Sequence, residues 1–205
     1  MSQFNNDGGQ VLRSVSESLR KLIRHYIPEL QAESAVVFDS PGEIDSQDET
    51  KLSLYLYQTE INPYLRNLAP SLSRQAGTDS QPAALTVTPS PLVVDLHYLM
   101  VPYARSAELE LVLVDKLMRL LHDVGQLSGE WLSPVLKRSG NEQIAIVPDV
   151  GSSETLRNIW AGFPNHPYKL TKLYTLTPVR IPSELSLQSA LVTESDLAYR
   201  NRNLP

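Results

Sequence analysis

Apolar residues near the start of the chain recur every three or four positions, which is the spacing of one helix face. This apolar face consists of Leu12, Val15, Leu19, Leu22, Ile23, Tyr26 and Ile27. The charged residues between them, from Arg13 to Arg24, fall on the opposite face. The pattern predicts an amphipathic helix from about Gln10 to about Tyr26, ended by Pro28, with its charged face in solvent.

A strict alternation follows in the segment LSLYLYQTEINPYLRN, residues 52–67. The leucines at positions 52, 54 and 56 share one face of a strand, and Ser53, Tyr55 and Tyr57 share the other. Both faces carry large side chains, so we expect both to be at least half buried. Pro63 removes a backbone donor and disfavours helix at Asn62, so the strand should end there and lead into a shaped loop.

Further strands and helices follow from the same two periods. Residues 92–100 alternate as a strand that we expect Pro102 to close, and residues 142–149 and 168–181 are also strand-like. Ser106 and Gly125 have the types of a helix N-cap and C-terminal stop, and SSETLRNIWAGF reads as a short helix. The buried stripe expected for the 106–125 helix is Leu109, Val112, Leu113, Leu117, Leu120, Leu121 and Val124.

The order of these elements predicts an α+β fold. We expect a single domain over residues 1–182, with one mainly antiparallel or mixed sheet packed by amphipathic helices. Residues 68–91 are rich in Ser, Pro, Gly, Gln and Thr without a sustained period, so they are expected to form a long loop. Residues 183–205 are expected to form an extended C-terminal arm.

Composition narrows the classes of function. The net charge is −5, and the basic residues form no stripe of the kind that binds phosphates, so nucleic acid is not an expected partner. The chain has no cysteine, which excludes disulfides and thiolate chemistry and favours a reducing compartment. Neither a signal peptide nor a membrane span is predicted, and direct membrane insertion is not expected.

Catalytic chemistry has one weak candidate, the pair Asp95 and His97 two residues apart on one strand face. Such a pair could orient an imidazole, but the spacing suggests no third partner, and no GxSxG, HExxH or phosphate-loop motif occurs. The alternatives are a structural hydrogen bond or a face covered by another chain. We therefore assign no catalytic, metal or cofactor site.

Three segments carry a family likeness: LYLYQTEINPYLRN, PSPLVVDLHYLMVPYA and LRNIWAGFPNHPYKLTKLYTL. Together they resemble the N-terminal domain family of the terminal cap proteins of phage-tail-like extracellular contractile injection systems. The matching residues are 54–67, 91–104 and 156–176, in the same order as in the family. With the first helix, the likeness extends to about Ile181.

The resemblance implies a structural protein without a cofactor that ends the inner tube and sheath of a contractile particle. It implies a homo-oligomer, expected to be a hexameric ring on the last tube disc, with the inner tube protein and the sheath protein as partners. It also implies assembly in the cytoplasm into a particle that is either released or attached to a membrane. Another oligomeric scaffold or assembly factor of such a particle, and an enzyme using Asp95 and His97, remain the alternatives.

Interface candidates lie in the loop after the Asn-Pro exit and in the C-terminal arm. Tyr and Arg are enriched at the centres of interfaces, which favours Tyr64, Arg66 and Asn67. Pro178 and Pro182 bracket the point where the arm leaves the sheet. The arm has an apolar stretch that could add to a partner's sheet edge and a basic end that could meet an acidic patch, so it is expected to be poorly ordered in a free subunit. Its candidates are Leu185, Leu187, Arg200 and Arg202.

Overall fold

The computed structural model describes residues 8–44, 49–75, 84–151, 153–185 and 187–190. These residues contain the helices α1 (Val11–Tyr26), α2 (Ala107–Val124), α3 (Pro134–Arg138) and α4 (Ser153–Ala161). The strands are β1 (Val36–Val37), β2 (Lys51–Ile61), β3 (Ser71–Gln75), β4 (Ala84–Thr88), β5 (Leu92–Tyr103), β6 (Gln126–Ser128), β7 (Gln143–Asp149), β8 (Lys172–Ile181) and β9 (Leu187–Ala190).

The main sheet has the strand order β1-β2-β5-β8-β7-β6 within the described residues. The short β1 pairs with β2 in parallel, and every other neighbouring pair in this sheet is antiparallel. The predicted mixed sheet packed by amphipathic helices is therefore confirmed. β2 ends at Ile61 next to Asn-Pro, as its sequence predicts.

One face of the main sheet carries most of the core. The helices α1, α2 and α3 bury their apolar faces against it, in one cluster with the inward side chains of β2, β5, β7 and β8. Tyr98 lies at the centre of this cluster, and its hydroxyl is 2.7 Å from the Oγ of Ser16 in α1. Burial raises the pKa of Tyr98 to about 12, although the bond to Ser16 acts in the opposite direction.

The opposite face carries a smaller cluster under α4. Trp160 of α4 packs there with Leu99, Val101 and Leu173, and its indole N–H donates to Thr171 Oγ1 at 3.1 Å. Tyr55 and Tyr57 pack against the same cluster, whereas Leu52 and Leu54 belong to the larger one. Both faces of β2 are therefore covered, as the alternation predicts.

Two local predictions differ from the structure. β5 continues through Pro102 to Tyr103 instead of closing at the proline. In α2, Val112 is exposed and Val114 is buried in its place. The rotation of the helix over the sheet turns position 114 inwards and position 112 towards solvent, and the spacing alone does not define this rotation. The Ser106 and Gly125 caps are confirmed, with Leu109 N–H donating to Ser106 Oγ at 3.2 Å and Gly125 at φ 63°.

A second sheet of order β3-β4-β9 replaces the predicted long loop. Its two hairpin strands have only five residues each, too short for their alternation to stand out among Ser, Thr and Pro. β3 follows β2, β4 precedes β5, and β9 follows β8. The lateral order is the same as in β2-β5-β8, and the three connections between the sheets leave the main sheet at one end, where Ile61, Leu92 and Ile181 lie.

Candidate interaction site at the Asn62 turn

The exit from β2 is fixed by the side chain of Asn62, which is almost fully buried. Its backbone N–H donates to Val93 O at 2.9 Å, and its Nδ2 donates to both carboxylate oxygens of Asp95 at 3.0 and 3.1 Å. Its Oδ1 accepts the backbone N–H groups of Tyr64 and Leu65, each at 3.0 Å. One amide side chain therefore holds both the end of β2 and the start of the loop.

The turn directs three of the predicted interface residues into solvent. Tyr64 is 91% exposed, and Arg66 and Asn67 are also exposed. A loop folded back onto its own core, the alternative to an interface role for Tyr64, does not fit this exposure. Because Asn62 already holds the backbone at Tyr64, an interface at this turn would lose little backbone entropy on binding.

Asp95 and His97 do not form the pair that the sequence suggested. Asp95 accepts hydrogen bonds from Asn62 and from the hydroxyl of Thr177 in β8. His97 Nδ1 lies 2.9 Å from Thr175 Oγ1, and its Nε2 is 3.7 Å from a carboxylate oxygen of Glu60. Each side chain thus ties β5 to a neighbouring strand, in agreement with the structural alternative.

The surroundings of these two residues contain a tyrosine and two carboxylates. Tyr57 lies beside His97 with ring centroids 6.1 Å apart, and burial, followed by the charges of Asp149 and Glu60, raises the pKa of its hydroxyl. Within the described residues, no group of three or more His, Cys, Asp or Glu side chains could hold a metal ion. The hydrogen bonds of Asp95 and His97 hold β5 to its neighbouring strand and orient the Asn62 turn.

The candidates in the C-terminal arm fall into three situations. Leu185 is 73% exposed just after the main sheet. Leu187 lies in β9, where its Cα pairs with that of Val87 in β4. The sequence predicts addition to a partner's sheet edge, but this part of the arm adds to an edge of its own chain. Arg200 and Arg202 lie outside the described residues, and so does the rest of the arm after Ala190.

The sequence did not identify Asn62 itself as a site residue. Its position before proline pointed to a strand end, but an asparagine before proline is common in turns. The specific signal is the combination with an acidic residue on the adjacent strand. Glu60 pairs with Asp95 and Ile61 pairs with Val94, and this register brings Asp95 within reach of Asn62. That register is not readable from one sequence.

Comparison with known proteins gives a family and two similar structures. The Pvc16 N-terminal domain family matches residues 14–195. The sheath/tube terminator of PVC, an extracellular contractile injection system, solved in the extended state, has a TM-score of 0.68 and 19% identity, covering 100% of this chain and 66% of that chain. The tube-terminating cap of the anti-feeding prophage has a TM-score of 0.63 and 19% identity, covering 90% of this chain and 60% of that chain.

The chain is thus shorter than both structures that it resembles. Comparison with curated protein sequences gives no match. In the part of the chain that the structure describes, none of the helices is both long and apolar enough to cross a membrane.

Proposed function

The chain belongs to the Pvc16 N-terminal domain family, and on that premise we propose that it is a structural cap protein of a contractile injection system. In this role it terminates the inner tube and the sheath by forming a ring on the last tube disc. The observation that carries the proposal is the fold likeness to a sheath/tube terminator over 100% of the chain. The exposed turn after β2 supports it, because a ring subunit needs rigid contact points.

The proposed partners are further copies of the chain in a hexameric ring, the inner tube protein and the sheath protein. The role requires neither catalysis nor a cofactor. The proposed place of action is an injection particle that is assembled in the cytoplasm, and the similar terminator belongs to an extracellular system. Another scaffold or assembly factor of such a particle would share the fold but would not sit at tube ends.

Assembly of the purified chain tests this function. We expect its mass, measured by light scattering, to correspond to a ring when inner tube protein is present, and micrographs to show the chain at tube ends. A chain that stays monomeric with and without tubes, or one that binds along the tube wall, would contradict the proposal.

Replacing Arg66 tests the contribution of the turn. Arg66→Ala should leave the thermal midpoint unchanged, because the side chain is exposed, and should weaken assembly. Arg13→Ala on the solvent face of α1 is the matched control and should assemble normally. Unfolding of the Arg66 variant would instead place that side chain in an internal hydrogen-bond network.

We also propose that residues 183–205 act as an arm. β9 anchors the beginning of the arm to the small sheet. The chain beyond Ala190 therefore starts from a fixed point next to Ala84, the first residue of β4. From there it can reach a neighbouring subunit, the tube or the sheath. Its basic Arg200 and Arg202 suit an acidic surface in a chain of net charge −5.

A further inference from the structure

A cleft lies between the outer face of α1 and the loop that follows this helix. Its volume is about 380 Å³. Most of its lining residues are basic, and the full set is Glu17, Arg20, Lys21, Arg24, His25 and Gln31. We call this surface the α1 cleft.

Two cations of the α1 cleft have no acidic partner in the described part of the chain. Arg24 donates from Nε and Nη2 to the backbone carbonyl of Gln31, at 3.1 and 3.0 Å. Lys21 donates from Nζ to the backbone carbonyl of Glu130 at 3.4 Å. None of the ion pairs between described residues includes Lys21 or Arg24. Because a carbonyl oxygen carries no full charge, both side chains keep their positive charge.

The remaining cation of the cleft, Arg20, is balanced within α1. It forms an ion pair with Glu17, so these two residues together add no net charge. The cleft therefore has an excess of positive charge from Lys21 and Arg24, in a chain whose net charge is −5. A local reversal of sign of this kind attracts acidic groups of a partner.

Both unpaired cations are held in place and can still donate. A guanidinium and an ammonium each have more N–H donors than the bonds to Gln31 and Glu130 use. The same bonds restrict two long side chains, which lowers the entropy that binding costs. Lys21 also lies over the ring of Trp131, with its Nζ 5.5 Å from the ring centroid.

An aromatic border adjoins the two cations. Tyr26, at the end of α1, is 52% exposed, and its ring centroid lies 5.7 Å from that of Trp131. His25 packs edge-on against both rings, with centroids 4.8 and 5.4 Å away. Because Tyr, Trp and Arg are enriched at protein interfaces, this composition fits a protein that offers apolar side chains beside its carboxylates.

A polynucleotide fits the α1 cleft less well than an acidic protein segment. Glu17 lines the cleft and Glu130 lies beside Trp131, so phosphates would meet carboxylates as well as cations. Nucleic acid is bound by continuous basic surfaces, and a net charge of −5 repels it. A protein segment can place single Asp or Glu residues at Lys21 and Arg24 and leave its other positions neutral.

We propose that the α1 cleft binds an acidic segment of a protein partner, whose carboxylates contact Lys21 and Arg24 and whose apolar side chains cover Tyr26. The inference goes beyond the proposed function, because the cap role assigns no partner chemistry to α1. It does not depend on ring formation, so the free chain is sufficient for its test.

Binding of a fluorescent polyglutamate peptide to the purified chain tests the proposal. We expect the anisotropy of the peptide to rise on addition of the chain, and the affinity to fall as salt is added. Lys21→Glu should weaken binding about tenfold or more, because it replaces an attraction by a repulsion. Arg13→Glu makes the same charge reversal on an exposed residue of α1 outside the cleft, and it should weaken binding far less. Both variants should keep the thermal midpoint, since both side chains are exposed.

A second measurement locates the contact. Carbodiimide joins a lysine to a carboxylate that it touches, and mass spectrometry of the digested product identifies that lysine. We expect the peptide on Lys21 and far less of it on Lys137, which is exposed on α3 but does not line the cleft.

A single-stranded oligonucleotide of matched charge distinguishes the two classes of partner, and we expect it to bind more weakly than polyglutamate. Tighter binding of the oligonucleotide that also depends on Lys21 would identify a nucleic-acid site and overturn the proposal. Absence of peptide binding, equal losses from Lys21→Glu and Arg13→Glu, or equal linking of Lys21 and Lys137 would overturn it as well. All these results leave the cap function standing, because that function is tested separately by binding to tube ends.

Discussion

Asn62 connects the ends of two strands with the loop that carries Tyr64. The amide of Asn62 donates hydrogen bonds to Asp95 and accepts hydrogen bonds from the backbone N–H groups of residues 64 and 65. Asp95 in turn receives the hydroxyl of Thr177 from β8. The half-buried carboxylate of Asp95 is therefore satisfied by neutral donors from both neighbouring segments.

Asn62→Asp is a sharp test of this arrangement. The new carboxylate keeps the acceptor for the loop but faces Asp95, so we expect a loss of about 1–3 kcal/mol in the free energy of unfolding at pH 7. Repulsion raises the folded-state pKa of one carboxyl above its unfolded value of about 3.9. The loss should therefore shrink as the pH falls through that raised pKa, because stability from such a group is present at low pH and disappears as the pH rises.

Urea unfolding at pH 7 and pH 4.5 measures this effect, and Asn67→Asp makes the same charge change on an exposed side chain as a control. Equal losses for both variants at both values of pH would show that Asp95 does not depend on Asn62.

Tyr98 gives the fold a dependence on alkaline pH. Because burial raises its folded-state pKa to about 12 and an unfolded tyrosine ionises near pH 10, the stability is complete below pH 10 and decreases as the pH rises towards 12. Tyr98→Phe should reduce this decrease by about 2 kcal/mol. Tyr64→Phe, at an exposed phenol, should leave it unchanged, and identical pH profiles for all three proteins would contradict the expectation.

The two longer helices, α1 and α2, show which features of an element are determined by residues that are close together in the sequence. α1 and α2 follow from the helical period and from short cap signals such as Ser106 and Gly125, because these depend on neighbours in sequence. The elements β3, β4, β6 and α3 were not predicted, because each has five residues or fewer and depends on contacts with other segments. Val112 shows the same limit within α2, since its exposure depends on how the helix is rotated over the sheet.

Gly125 ends α2 in the left-handed region at φ 63°. Gly125→Ala should cost about 1–2 kcal/mol, because a Cβ is disfavoured in this conformation. Its nearest contact would be the carbonyl oxygen of His122 at 3.8 Å, so the cost comes from the backbone and not from a clash. Gly9→Ala, where a Cβ meets nothing within 4 Å, is the control. Equal thermal midpoints for both variants would contradict this assignment.

The described part of the chain forms a main sheet covered by helices on both faces and a separate small sheet. The core side chains of both clusters come from the main sheet, its helices and the loops that join them. The sequence predicted this body and the exposed loop at Tyr64, because periodicity and the Asn-Pro exit are local signals. The position of the helices relative to that loop could not be predicted, since it depends on the order of six strands.

Truncation before Ser183 removes β9 and the arm together. Because β9 pairs with β4 in the small sheet, which is separate from the main sheet that carries the core clusters, we expect the thermal midpoint to change little. Amide hydrogens of β4 should exchange faster, since this strand loses its pairing with β9. Capped particles should become fewer in micrographs. Normal capping by the truncated chain would contradict a role for the arm, and a large drop in thermal midpoint would place β9 in the cooperative core.

The three chain connections between the small sheet and β2, β5 and β8 have a mechanical consequence. Ladder hydrogen bonds in antiparallel sheets run perpendicular to the strands. A pull on the small sheet along the strand axis is therefore carried into the main sheet by three adjacent strands, and it loads their hydrogen bonds in shear, many at a time. A force across the strands would instead open the ladder one bond after another. The main sheet thus resists a force along β2, β5 and β8 better than a force across them.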